Sequence, residues 1–229
     1  MIRTLFRSTL IAIATAFAAL AVAPVALAQT DQQKLVDSAD ASFSNFLRDP
    51  DMTWIQQNVG RAKGVLIAPA ILKAGFIFGG SGGRAVLIAR DPKSGKWVGP
   101  AFYALATASV GFQAGVEVSE AVTLVMTDKG MNALLTPSFK IGGDASVAAG
   151  PVGAGAKSNV VADLISFSRS KGVYGGLNLD GTVVNTSDDW NQAYYGKPVQ
   201  SPDILVRMSV HEKGADKLIA DVAKAAGGK

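Results

Sequence analysis

An amphipathic helix is the first element that the hydrophobic pattern predicts after the N-terminal 30 residues. Between Asp31 and Arg48, polar residues separate apolar ones that recur every three or four positions: Leu35, Ala39, Phe43, Phe46 and Leu47. This spacing places the apolar side chains on one face of a helix. Asp49-Pro50 ends the pattern, because the residue before a proline disfavours helical geometry. We therefore predict a helix over Asp31–Arg48 and a short helical turn over 54–59.

After Gly64, short apolar runs alternate with glycine-rich segments, which is typical of β-strands joined by turns. We predict strands over residues 65–67, 74–78, 84–89, 97–103, 110–118 and 121–126, and later over 145–149, 160–167, 173–179 and 182–184. Asp180-Gly181 predicts a tight hairpin turn. Within 110–118 the apolar residues occupy every second position, as in a sheet with two unlike faces: Phe112, Ala114, Val116 and Val118.

Three more helices complete the prediction, over 128–135, after a Ser187 cap, and over 213–226. The pattern therefore predicts an α+β fold with a single domain over residues 29–229. Its core should be a glycine-rich, mainly antiparallel twisted sheet or partly closed barrel, flanked by N- and C-terminal helices. A chain of this length is large enough for one substantial core.

The first 28 residues have the three parts of a secretory signal. Arg3 and Arg7 precede an apolar run over 10–22, and the small-residue triplet Ala26-Leu27-Ala28 follows Pro24. A membrane-anchoring helix is the alternative, but the run is short for a bilayer and Pro24 interrupts it. We expect cleavage after Ala28 and export to the periplasm or the extracellular space.

The net charge and the cysteine content limit the classes of function that the chain can have. The formal charge of the chain is +4, and removal of Arg3 and Arg7 lowers it by two to +2. So mild a basic balance argues against a nucleic-acid-binding protein. The chain has no cysteine, which excludes disulfides and thiolate metal sites.

Short motifs give little support to catalysis. Gly79-Gly80-Ser81-Gly82-Gly83 matches the G-x-S-x-G pattern of serine hydrolases, and His211 is the only histidine. A nucleophile elbow needs a helix after the serine, whereas 84–89 is predicted as a strand, so the glycine run is better interpreted as a hairpin or bulge. The loop 150–155 lacks the residues of a phosphate-binding motif. We expect no enzyme activity, cofactor, metal site or nucleotide.

The predicted first helix allows two interpretations. Its apolar face, bordered by Lys34 and Arg48, could lie in a lipid interface, with the basic groups meeting anionic headgroups. The same face could instead pack on the sheet. A second basic group accompanies the strands, although its members need not share a surface: Arg61, Lys63, Lys73, Arg84 and Arg90.

Ordered blocks over residues 35–205 resemble the SYLF lipid-binding domain family. They include Ala62-Lys63-Gly64-Val65-Leu66-Ile67, Lys73-Ala74-Gly75-Phe76, Gly95-Lys96-Trp97, Gly111-Phe112-Gln113-Ala114-Gly115, Gly142-Gly143-Asp144-Ala145, Ser168-Arg169-Ser170-Lys171-Gly172 and Leu179-Asp180-Gly181. The resemblance implies a non-enzymatic domain that binds phospholipid through an N-terminal amphipathic helix and adjoining basic residues, and in some contexts actin.

Two function hypotheses follow. In the first, the exported domain binds anionic phospholipid reversibly through the first helix and nearby basic residues: Lys34, Leu35, Phe43, Phe46, Leu47, Arg48, Lys63 and Lys73. In the second, it is a cell-envelope or host-facing protein-interaction module that uses Trp190, Tyr194 and Tyr195. A small esterase based on Ser81 is a third, weaker alternative.

Overall fold

A computed structural model describes residues 29–75, 78–110, 115–153, 160–170, 173–174 and 179–227. Apart from Gln29 and Thr30, these residues belong to one compact unit, Asp31–Lys229. The predicted secretory signal and the predicted role of Phe112 and Ala114 lie outside the described residues.

Six α-helices are described. They are α1 (Asp31–Arg48), α2 (Thr53–Asn58), α3 (Asp128–Leu134), α4 (Asp188–Tyr195), α5 (Ser201–Leu205) and α6 (Asp216–Ala225). Single 3-10 turns lie at Pro50–Met52, Val59–Arg61 and Lys213–Ala215. The N- and C-terminal helices therefore flank the sheet as predicted.

Nine described strands form one sheet. They are β1 (Gly64–Gly75), β2 (Phe78–Arg90), β3 (Trp97–Val110), β4 (Gly115–Val125), β5 (Ser138–Lys140), β6 (Val147–Ala149), β7 (Leu164–Ser170), β8 (Val173–Tyr174) and β9 (Val183–Thr186). The order is β5-β9-β3-β2-β1-β4-β7-β6, and β8 pairs with β7. The described pairs are antiparallel except β6 with β7, so the predicted α+β class and mainly antiparallel sheet are confirmed.

The sheet has one core on each face. On the helix face, α1 and α6 cover Ile67, Val86, Phe102 and Val122. The opposite face encloses a second core that includes Leu66, Leu87, Tyr103 and Ala121. Each strand contributes to both cores because successive side chains point to opposite faces.

The glycine run predicted as a hairpin or bulge is neither. Gly79–Gly83 lies inside β2 and is paired on both sides, with β1 and with β3. The bulge lies in β1, between Ile67 and Ala70, where Pro69 cannot donate a ladder hydrogen bond. A Cβ at Gly83 would lie 2.5 Å from the Ala70 carbonyl oxygen. Glycine here permits close strand approach rather than a turn.

Candidate functional site

Helix α1 is docked on the sheet. Phe43 and Phe46, which were predicted to insert into lipid, are both 0% exposed and belong to the core under α1. Leu35 and Leu47 are partly buried against the same core. Insertion of the two phenylalanine rings into a bilayer would therefore require α1 to leave the sheet. In this conformation the apolar face of α1 packs on the sheet, which is the second of the two interpretations of the sequence.

Polar contacts hold α1 along its length. Gln33 Nε2 donates to the Gly214 carbonyl at 2.8 Å, and Ser42 Oγ donates to Glu120 of β4 at 2.6 Å. Asp40 contacts Lys217 of α6. Burial raises the pKa of the Asp40 carboxyl, while Lys217 opposes that shift. These contacts fix α1 to both the sheet and the C-terminal helix.

The predicted basic residues do not form one surface. Lys34 pairs with Asp31 at 3.0 Å, and Lys63 pairs with Asp128 at 2.9 Å. Arg48 is exposed at the end of α1. Lys73 lies opposite Glu117 in the β1–β4 register and faces away from the helix side.

The helix face continues beyond α1 as an exposed apolar surface. Residues adjacent in the sheet register are Val183, Ala106, Gly82, Leu72 and Val118 in one row, and Ala108, Gly80, Ala74 and Val116 in the next. Their side chains share one face because they are cross-strand neighbours or two residues apart. Leu72, Val116 and Val118 are 53%, 67% and 51% exposed. We call these nine residues the open face; it contains no charged residue.

The open face exists because β1 to β4 are longer than their neighbours. Described pairing of β4 with β7 ends at Ser119, and that of β3 with β9 ends at Ala106. Helix α1 packs on the other half of these strands, over residues such as Val86 and Val122. The two connections at this end, 76–77 and 111–114, lie outside the described residues.

A row of charged residues separates the open face from the part under α1. Arg169 of β7 lies opposite Glu120 of β4, forms an ion pair with it and lies 5.5 Å from the Phe46 ring centroid. Arg84 of β2 takes the corresponding position on the other side of β1. Its guanidinium carbon lies 4.0 Å from the Trp190 ring centroid, and its Nη1 donates to Ser187 Oγ at 3.2 Å.

The opposite face of these strand ends is polar. Glu117, Lys73, Ser81 and Thr107 are cross-strand neighbours there, and Thr107 Oγ1 lies 2.7 Å from Thr182 Oγ1. The extended end of the sheet is therefore apolar on one face and polar on the other.

The proposed esterase geometry is not formed around Ser81. Its strand, β2, continues to Arg90 instead of giving way to a helix, so the elbow that this motif requires is missing. His211 is exposed and its Nε2 lies 3.1 Å from Asp216. Residue type alone had suggested this pair, and the local structure does not support it.

The aromatic residues considered for a protein partner are half-buried on α4. Trp190 and Tyr194 pack against Phe102, with ring centroids 6.0 and 5.1 Å apart. The Tyr195 hydroxyl donates to the Pro100 carbonyl at 2.8 Å. All three attach α4 to β3.

Two features are absent from the described residues. No helix among them is both long and apolar enough to cross a bilayer. Within the same part of the chain, no three His, Asp or Glu side chains are grouped to hold a metal ion.

Comparison with known proteins identifies the family. A family model described as "Ysc84: Las17-binding protein actin regulator" matches residues 106–225. The chain belongs to this family. The SYLF resemblance predicted from the sequence is thereby confirmed.

Relatives of the Ysc84 family share about a third of their aligned residues with this chain. The human SH3 domain-containing YSC84-like protein 1 is 30% identical over 161 residues, which are 68% of this chain and 46% of the relative. Protein YSC84 of Saccharomyces cerevisiae is 32% identical over 166 residues, 69% of this chain and 35% of the relative. LAS seventeen-binding protein 3 of the same species is 35% identical over 152 residues, 63% of this chain and 33% of the relative. The alignments thus span less than half of each relative.

Sequence reasoning missed the open face and the special position of Arg84. The alternation of Val116 and Val118 with Glu117 was a signal for an apolar face, and Leu72 and Ala74 flank Lys73 in the same way. The missing information was the register, which places these residues side by side beyond the helix.

Proposed function

We propose that this Ysc84-family domain is a non-enzymatic, peripheral phospholipid-binding module. The observation that supports the proposal best is the open face, an apolar surface without a charge that no described element covers. Contiguous apolar patches of a few hundred Å² on a protein surface are often functional contact sites.

The size of the open face favours a membrane over a protein partner. Five strands spaced by about 4.8 Å and two residue rows spaced by about 7 Å give roughly 300 Å². A stable protein interface buries about 800 Å² on each partner. Transfer of roughly 300 Å² of apolar surface into lipid contributes about 7 kcal/mol, which is at least as much as one reversible acyl anchor.

In this proposal α1 acts as the scaffold of the domain instead of its insertion helix. Its phenylalanines stabilise the sheet from which the open face extends. The exposed Arg48 adds weak attraction to an anionic surface, whereas the charge of Lys34 is offset by its ion pair with Asp31.

The proposal places the domain outside the cytoplasm. Arg3, Arg7, the apolar run and Ala26-Leu27-Ala28 support export, with residues 29–229 as the mature chain. An exported domain would meet lipid of the cell envelope or of a neighbouring cell.

Vesicle flotation of the chain from Gln29 onward tests the function. We expect binding to vesicles of phosphatidylglycerol and phosphatidylcholine, and about tenfold weaker binding for Val118→Gln, because a polar amide replaces an apolar contact. Val206→Gln is the matched control, since Val206 is 55% exposed but lies outside the sheet. Absence of wild-type flotation at low salt, or equal loss in both variants, would contradict the proposal.

A protein partner is the second candidate function. The family description and the yeast relative's name both refer to Las17 binding. Pull-down from envelope extracts would favour this candidate if the wild-type chain captured a protein that Val118→Gln did not, while neither bound vesicles.

A further inference from the structure

We propose that Arg84 binds the phosphate of a singly charged phospholipid headgroup at the border of the open face. The inference rests on the proposed membrane function and adds the headgroup contact to it.

Arg84 is held in one orientation. The indole of Trp190 lies under its guanidinium, and Ser187 accepts a hydrogen bond from Nη1. An arginine has five N–H donors in a planar fork, which suits the paired oxygens of a phosphodiester. The described contacts use one nitrogen and one face of the guanidinium group, so other N–H donors of Arg84 remain for a ligand.

Arg84 differs from Arg169 in its charge environment, which suits Arg84 to ligand binding and Arg169 to a structural role. Both side chains lie in the row that borders the open face, but Arg169 is neutralised by Glu120. Among the described residues, Arg84 has no carboxylate within ion-pairing distance. A fixed guanidinium that forms no ion pair is electrostatically matched to an anionic ligand.

The depth of Arg84 fits a headgroup. Along β2 it follows Gly82 of the open face and precedes Val86, which is buried under the helices. A bilayer in contact with the open face would therefore bring its phosphate layer to Arg84. The cross-strand neighbours on both sides are small, Ala70 and Ala104, and leave room for a phosphate.

Neighbouring charge limits the ligand to one negative charge. Asp188 and Asp189 form the first turn of α4, directly after Ser187. Their carboxylates oppose the approach of a multiply charged headgroup. A single guanidinium beside them suits the phosphodiester of a lipid such as phosphatidylglycerol, rather than a headgroup with several phosphates.

Comparison of Arg84→Gln with Arg90→Gln tests the assignment. Arg90 lies at the other end of β2, is exposed and donates to the Gly60 and Gly95 carbonyls, so both variants lose the same charge. On vesicles containing phosphatidylglycerol, we expect about tenfold weaker binding for Arg84→Gln only. On pure phosphatidylcholine, where the choline ammonium offsets the phosphate charge, the difference between the two variants should be much smaller.

Two further measurements keep the outcome decisive. Arg84→Lys retains the charge without the planar fork, and we expect a partial loss; circular dichroism confirms folding of each variant. Equal binding of Arg84→Gln and Arg90→Gln to anionic vesicles would overturn the inference and leave the membrane function intact.

Soluble lipid separates the site from the membrane function. Dihexanoyl phosphatidylglycerol below its micellar concentration should change tryptophan emission, because Trp54 and Trp97 are buried and Trp190 contacts Arg84. If vesicles do not bind but this change occurs and is lost in Arg84→Gln, the headgroup site stands and the membrane function fails. If neither binds, both are overturned.

Discussion

Asp163 connects three segments of the chain through one carboxylate. It accepts hydrogen bonds from Thr127 Oγ1 at 2.6 Å and from the Ser146 amide and hydroxyl at 2.9 and 2.8 Å. Thr127 also caps α3 by accepting from the Gly130 amide. The Thr127 hydrogen bond, followed by that of the Ser146 amide, lowers the pKa of Asp163 from 3.8 to about 2.

Stability should therefore depend on Asp163 at acidic pH. Because its folded pKa is depressed, the ionised carboxylate stabilises the fold above pH 3.8, and this contribution disappears as pH falls toward 2. Asp163→Asn should lower the free energy of unfolding by about 1–3 kcal/mol at neutral pH. The free energy of unfolding of this variant should also fall less between pH 3.8 and 2 than that of the wild type. Urea unfolding at several pH values measures the effect, with exposed Asp189→Asn as control; parallel pH profiles for wild type and Asp163→Asn would contradict it.

At the scale of elements, α1 is docked on the sheet, so we expect substitutions on its apolar face to destabilise the domain. Phe43→Ala removes a fully buried ring and should destabilise the domain by about 3–5 kcal/mol. Vesicle binding of the molecules that remain folded should be unchanged, because the ring does not reach the surface.

Exposed Val206→Ala serves as the control for that prediction and should change stability little. Denaturant unfolding and vesicle flotation under native conditions distinguish the alternatives. Unchanged stability of Phe43→Ala together with weaker vesicle binding would show that α1 leaves the sheet to insert.

The sequence predicted elements best where periodicity was long and its end was marked. The bounds of α1 were correct because 18 residues keep one apolar face and Pro50 follows. The three-residue β5 and five-residue α5 were missed, since such short segments carry no periodic signal. The glycine run was predicted as a hairpin or bulge because strand pairing on both sides of β2 cannot be read from composition.

The candidate site was harder to predict than the fold for a physical reason. An amphipathic helix has the same pattern whether its apolar face contacts a sheet or a lipid, so Phe43 and Phe46 could not be placed. The open face depends on register between β1 and β4, which brings Leu72 beside Val118. That pairing joins residues far apart in sequence.

At the scale of the whole molecule, the apolar N-terminal run affects every lipid experiment. Residues 10–22 would themselves partition into a bilayer if they remained attached. Binding measured on an unprocessed chain would then report the run instead of the open face. Removal of residues 1–28 is therefore a condition for assigning membrane contact to the domain.

Processing of the full chain tests the proposed export. Expression from Met1 in a bacterial host should yield a mature protein that begins at Gln29, because Ala26 and Ala28 supply the small residues that signal peptidase requires. Intact-mass measurement and N-terminal sequencing of the exported fraction identify the cleavage point. Ala28→Arg should leave the uncleaved chain in the membrane fraction, whereas Lys34→Gln, beyond the cleavage site, should be processed normally. A wild-type chain recovered in the cytoplasm with Met1 in place would contradict export, and the lipid met by the open face would then be that of the inner leaflet.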